Sequence, residues 1–413
     1  MKLRNIFVWT LYDFANSIAV IVFFLYFSQW LVVDKGVADF WYNMIFVAGS
    51  VLLLVTSPAI GSLADQNGRQ QIYLNYATVF VFVFFLGASL IILFFPRYAA
   101  GAIIFFGLAN YAYQQSLVFY NALLHEIAPP KSLGLVSGIG QAGNWLGQIT
   151  GLLIALPLAG GALYIAGEPG RAQTFLPVTV IFFILALPML FLFKIAKKPQ
   201  PAKAPRLRDE YKKQWRLLKE LLKAPGMGFF LLSYFIFSDA INTVSGNFPI
   251  YLENVFAVSD KTKSLLLVSI LITSTIGAFG SGWISDRIGL KKTLAFVLGS
   301  WLVVLPGISV VTDFKIFVVL TILMGLLFGA LWTAARAMMT ALCPKEKLNF
   351  GFSFYTLAER VATLVAPLTW GLITLAFYHL GPMRYRIALF AMAVWVGVGL
   401  FFLRKVKLNG SAV

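Results

Sequence analysis

Apolar residues in this chain come in long runs separated by short polar breaks. A helix rises 1.5 Å per residue, so about 20 apolar residues cross a hydrocarbon layer about 30 Å thick. Runs of this length cover residues 6–33, 41–63, 72–95, 99–124, 133–159, 175–195, 226–251, 264–284, 293–311, 314–341, 351–378 and 384–404. Each predicts a membrane-spanning α-helix, because a backbone in hydrocarbon must satisfy its own N–H and C=O groups. The first run follows Met1-Lys2-Leu3-Arg4 as a secretory leader would. It is too long for one, carries Asp13 near its middle and lacks a clear cleavage site, so it is read as a mature helix.

The pattern is interrupted once, at 196–225. This stretch opens Lys197-Lys198-Pro199-Gln200-Pro201 and then places Tyr211, Trp215, Leu218 and Leu222 at helical spacing among Lys and Arg. An amphipathic helix on the inner leaflet is the expected reading, with a plain tether as the alternative. The chain thus divides into a six-helix bundle at 1–195, a cytoplasmic linker at 196–225 and a second six-helix bundle at 226–413.

Composition excludes the soluble classes. Apolar residues make up 60% of the 413 and charged residues 12%, about half the charge of a soluble domain. A single cysteine, Cys343, leaves no intramolecular disulfide. The two histidines, His125 and His379, are too few and too far apart to suggest a metal centre. There is no G-x-x-x-x-G-K-[ST] phosphate loop for a self-contained ATP-driven pump. No cofactor is expected. A membrane-embedded enzyme is disfavoured by the lack of a metal box, and a sensor by the lack of a signalling domain.

The net charge of +17 changes the picture only once its distribution is read. With the amino terminus in the cytoplasm, 23 Lys and Arg fall inside and 8 outside, while Arg336 and Arg360 lie within spans. That asymmetry predicts both termini in the cytoplasm, and it removes the need for a nucleic-acid partner. Short loops and tails lean towards a prokaryotic inner membrane. A monomer is expected.

Two internal repeats carry the chemistry. Gly61, Asp65, Gly68 and Arg69 follow the second span; Gly282, Asp286, Arg287 and Gly289 follow the eighth. Both fit G-x-x-x-D-x-x-G with basic residues near, and equivalent positions lie 221 residues apart. The first glycine permits close helix approach and the second a tight turn. The acid can engage helix-terminal amides or a basic neighbour, in a contact that breaks when the halves rearrange. Two pseudo-symmetric halves follow from the spacing. The second repeat is D-x-x-N-[ST]: Asp13, Asn16 and Ser17 in the first span, and Asp239, Asn242 and Thr243 in the seventh. Positions i, i+3 and i+4 share one helix face. Each half should therefore present a carboxylate, an amide and a hydroxyl towards a central cavity or a polar helix interface.

The loop repeat resembles the signature of the major facilitator superfamily, and the resemblance covers the whole chain in length, span count and repeat position. It implies secondary transport by alternating access. The opening Trp9-Thr10-Leu11-Tyr12-Asp13-Phe14-Ala15-Asn16-Ser17 is similar to the vacuolar-effluxer-like branch, related to the autophagy-linked amino-acid exporters. Phe119 to Ala122, Asp239 to Asn242, Ala335-Arg336 and Tyr355 to Arg360 add to that similarity. The branch implies export of small organic solutes, amino acids among them.

Further candidates sit inside spans. Arg336, Glu359 and Arg360 read either as an internal ion-pair network or as an anion-binding Arg beside a protonatable Glu. In the fifth span, Ser137, Gly138, Gly140, Gln141, Gly143, Asn144, Gly147 and Gln148 form a small-residue stripe suited to tight packing, with Gln141 and Asn144 best placed to reach a substrate. The expected protein is a proton-coupled transporter of a small organic solute; a lipid flippase or scramblase on the same scaffold is the alternative.

Overall fold

A computed structural model describes residues 2–66, 70–127, 133–193, 207–223, 225–343, 355 and 364–407. Among these, every regular element is a helix. They are α1 (Lys2–Val22), α2 (Asp39–Gln66), α3 (Gln70–Phe94), α4 (Ala99–Ile127), α5 (Leu133–Ala159), α6 (Phe175–Phe191), α7 (Leu207–Leu222), α8 (Met227–Phe256), α9 (Asp260–Ile288), α10 (Leu290–Val310), α11 (Phe314–Leu342), α12 (Val365–Ala376) and α13 (Met383–Arg404). Helix α1 runs on through two π-helical turns, Phe23–Phe27 and Trp30–Asp34. Prolines 157, 188 and 306 fall in the last two turns of their helices and Pro249 just before them, each removing one backbone donor from its helix.

Ten of these helices are long and apolar enough to cross a membrane. Two of the expected spans lie outside that ten. Helix α4 is 29 residues long, but Asn110, Tyr111, Tyr113, Gln114, Gln115 and Ser116 lower its hydropathy midway. Helix α12 is the described part of the expected 351–378 span; Glu359 and Arg360 lie outside the described residues. With both, the twelve sequence runs each have a helix, and the fold is the expected all-α membrane architecture.

Contacts divide the chain into two compact units. The first holds Met1–Val37 and Val51–Tyr211; the second holds Ala38–Ser50 and Lys212–Val413. Helix α2 therefore begins in the second unit and ends in the first, and the boundary near 211 falls within α7.

In the first unit α1 is the central helix, packed on α5 and α6, while α3 packs on α4. Its buried end is aromatic: Phe23 stacks on Phe85 at 4.2 Å and Phe27 lies 4.2 Å from Phe106. The glycines of α5 explain the α1 contact. A Cβ at Gly140, Gly143, Gly147 or Gly151 would strike Trp9, Thr10, Phe14 or Ile18 respectively. The stripe read from the sequence is thus a packing face, and small residues let the two backbones approach.

In the second unit α8 is buried on nearly all sides and packs on α13. Helices α9 and α11 meet through Gly277, Gly325 and Gly329, where any Cβ would collide with the opposing backbone or with Thr273. Ser274 and Ser281 donate across this contact to the carbonyls of Gly325 and Ala330, at 3.0 and 3.1 Å. Gly282 behaves differently from the sequence expectation: a Cβ there meets nothing within 4 Å. The close approach is made one turn or more earlier, at Gly277. The second glycine of that loop does turn the chain, since Gly289 has φ +91° between α9 and α10. Arg287 lies 3.7 Å over the Trp283 ring. In the first loop, Gly61 and Asp65 belong to α2, and Gly68 and Arg69 lie outside the described residues.

Helix α7 forms where an amphipathic helix is expected. Trp215 and Leu222 are exposed, Lys219 lies 5.5 Å over the Trp215 ring, and Leu221 is buried.

Candidate substrate site

The two D-x-x-N-[ST] repeats share a sequence but do different work. In the first unit, Asp13 is buried in the middle of α1. Asn144 on α5 donates Nδ2–H to Asp13 Oδ1 at 3.1 Å, and Gln148 Nε2 donates to Asn144 Oδ1 at 2.7 Å. Residues 144 and 148 are one turn apart, so α5 presents both amides in a row that ends on the carboxyl. Asn16, one turn along α1, spends its Nδ2 on the Tyr12 carbonyl at 2.9 Å and leaves Oδ1 without a hydrogen bond. Ser17 is buried and its hydroxyl has no partner either. Gln141 is on the same helix as Asn144.

Aromatic residues frame this row. Trp9 stacks on Tyr120 at 4.3 Å and donates Nε1–H to the Tyr120 carbonyl at 3.0 Å. Tyr12 shares a hydrogen bond with Thr78 at 2.9 Å. Gln115 on α4 is 5% exposed, and neither its oxygen nor its nitrogen has a hydrogen-bond partner. The sequence reading does not single out Gln115. Its signal is the polar run in mid-α4, since an amide in hydrocarbon is costly wherever it points.

In the second unit Asp239 caps a helix. Its Oδ2 accepts the backbone N–H groups of Val365 at 3.0 Å and Ala366 at 2.8 Å, at the first turn of α12. A carboxylate there satisfies orphan donors and meets the positive end of the helix dipole. Thr243 bonds back to the Asp239 carbonyl at 2.8 Å, and Asn242 is half-buried. The expected common face of acid, amide and hydroxyl is therefore not built alike in the two halves. Nearby, Tyr234 stacks on Tyr355 at 4.1 Å, with Trp332 edge-on at 6.2 Å. Arg336 follows Trp332 by one turn on α11, with its side chain exposed. Among the described residues, no group of three or more His, Cys, Asp or Glu suits a metal ion.

Residues 131–411 match the sequence profile described as vacuole effluxer Atg22 like. The chain belongs to this family. Similarity to named transporters is consistent with that placement. An MFS-type transporter of Bacillus subtilis (strain 168), YxiO, is 22% identical over 385 residues, which is 87% of this chain and 86% of that protein. The galactose-proton symporter of Escherichia coli (strain K12) is 26% identical over 175 residues, 42% of this chain and 36% of that one. Among solved structures, a mutant of the nucleoside transporter NupG superposes with a TM-score of 0.78 at 12% identity, covering 97% of this chain and all of the other. The fold is that of the major facilitator superfamily, and the chain is a multi-pass integral membrane protein of the transporter class.

Proposed function

We propose that the protein moves a small organic solute across the membrane by alternating access, with export favoured and a proton as the coupling ion. The observation that carries this reading is the Asp13–Asn144–Gln148 row, in the same unit as the buried Gln115, whose amide atoms lack partners. A buried polar atom without a hydrogen bond costs about 1–3 kcal/mol, so Gln115, Asn16 and Ser17 offer atoms that a polar solute can satisfy. Asp13 supplies the one carboxyl of the row, and a carboxyl that gains and loses a proton in step with solute binding couples the two. The family description supports efflux, and the similarity to a galactose-proton symporter supports the proton.

In the second unit, taken by itself, Asn242 and Arg336 are the proposed recognition residues, Arg336 by pairing with a carboxylate on the solute. Gly61, Asp65, Gly282 and Asp286 would serve the rearrangement of the loops. The charge distribution supports both termini inside, and the short loops and tails support a prokaryotic plasma membrane; an externally added impermeant thiol reagent that labels Pro205→Cys in a Cys343→Ser background would overturn the orientation.

The test of function is transport in proteoliposomes loaded with candidate amino acids, nucleosides and sugars under an imposed pH gradient. Asp13→Asn is expected to abolish gradient-driven movement while sparing counterflow exchange. Gradient-driven movement at the wild-type rate in Asp13→Asn would remove the proposal.

A further inference from the structure

A second buried carboxyl lies apart from the Asp13 row. Asp39 opens α2 and is 2% exposed, within the part of α2 that packs in the second unit. Thr374 and Trp370 of α12 and Arg384 of α13 all face its carboxyl. Three atoms of this cluster are buried without a hydrogen bond: the acceptor Asp39 Oδ2, the donor Trp370 Nε1 and the donor Arg384 Nε. Trp370 is fully buried. Arg384 spends Nη2 on the Tyr385 hydroxyl at 2.8 Å and lies 4.6 Å over the Tyr378 ring.

The surroundings oppose one another. The N-terminus of α2 and the Arg384 cation both favour a carboxylate at Asp39. The α12 groups that face it, Thr374 and Trp370, favour the carboxylate as well, and burial alone opposes them. Asp239 and Asp39 thus sit at opposite ends of one short helix: the first at its donor end with two hydrogen bonds, the second at its acceptor end, about 13 Å further along. The other charged or titratable groups of the cluster are Arg384 and Tyr385 on α13, and Tyr378 before it; α12 adds only Trp370 and Thr374. Helix α8 contributes amides. One turn beyond Asp39, Asn43 and Asn247 exchange hydrogen bonds at 3.0 and 2.9 Å, each also bonded to a carbonyl of its own helix.

We infer that Asp39 is a proton-binding site of the second unit, separate from Asp13. Taking up a proton turns Asp39 into a donor, ends its attraction for Arg384, and changes how the start of α2 is held against α12 and α13. This inference builds on the proton-coupled reading but rests on different residues, and its test needs neither substrate nor gradient.

Trp370 is a built-in reporter, because indole emission responds to the charge state of a carboxyl beside it. The full chain, purified in detergent, is titrated with acid while tryptophan emission is read. Wild type is expected to show a reversible pH-dependent component that is lost in Asp39→Asn and in Trp370→Phe but kept in Asp13→Asn. Absence of the component in wild type, or its persistence in Asp39→Asn, overturns the inference. If Asp39→Asn elutes as an aggregate, Asp39→Glu decides: the component must remain with a displaced midpoint, and an unmoved midpoint overturns the inference. Failure of transport in Asp13→Asn with this titration intact separates the two proposals.

Discussion

Ala366 donates its backbone N–H to Asp239 Oδ2 at 2.8 Å, which fastens α8 to the first turn of α12. The same oxygen takes the N–H of Val365. Removing it leaves two backbone donors unsatisfied, that of Ala366 buried, so Asp239→Ala should lower stability by about 1–2 kcal/mol, the usual scale of a lost helix cap. Asp239→Asn keeps an acceptor oxygen and should lose less. Melting curves of the two variants in one detergent check the order. A destabilisation of Asn equal to that of Ala would mean that charge, and not the hydrogen bonds, does the holding.

Asp13 should give the opposite profile. Its carboxyl accepts from a neighbouring side chain, Asn144, where that of Asp239 accepts from the backbone at the start of α12. Asp13→Asn is expected to retain a near-wild-type melting temperature and lose gradient-driven transport. Asn144→Ala should weaken solute binding and also leave Gln148 without its acceptor, a loss of about 1 kcal/mol in stability. Binding is read from the ligand-induced rise in melting temperature.

Comparison of these two acids shows what is legible in the sequence. The span pattern is plain because twenty apolar residues have few alternatives to a membrane helix, and every run found its helix. The D-x-x-N-[ST] repeat is equally plain, yet its two copies diverge, since the partner of each acid lies more than a hundred residues away. Nothing local tells that Asp239 will meet the N-terminus of α12 while Asp13 meets an amide of α5. Asn43 and Asn247 escape notice for a related reason: a lone amide in a span has no spacing to mark it, whereas Gln115 is marked only by the polar run of mid-α4. The glycine stripe of α5 is readable because packing repeats along a helix, whereas Gly282 is misread because one glycine in a motif can serve the turn region without touching another helix.

Helix contacts built on glycine give a graded test. At Gly147 an added methyl meets the Phe14 backbone and Ser17, and at Gly329 it meets the Ser274 backbone. Backbone cannot move aside as a side-chain tip can, so Gly147→Ala and Gly329→Ala should each destabilise by about 1–3 kcal/mol. Gly282→Ala adds a methyl in open space and should stay within about 0.5 kcal/mol of wild type, or gain slightly from helix propensity. Chemical or thermal unfolding of the three variants provides the comparison. Equal losses at Gly147 and Gly282 would contradict the packing described for α1 and α5.

Arg336 tests the chemical class of the solute. A guanidinium on a spanning helix is expensive to place in hydrocarbon. Its side chain is exposed, one turn from Trp332 and the stacked Tyr234–Tyr355 pair. A planar fork in that position suits a carboxylate through two parallel hydrogen bonds, and Lys would keep the charge while losing the second bond. A hydrogen bond to a charged group is worth about 1.5 kcal/mol or somewhat more, which is roughly a tenfold change in Kd. Arg336→Lys should therefore weaken binding of carboxylate-bearing solutes by about that factor and leave neutral sugars and nucleosides unaffected. Because the side chain is exposed, the melting temperature without solute should hardly move. A marked fall in melting temperature with unchanged affinity would instead assign Arg336 to an internal ion pair, and recognition would then rest on the first unit's Asp13, Asn16, Gln115, Gln141 and Asn144.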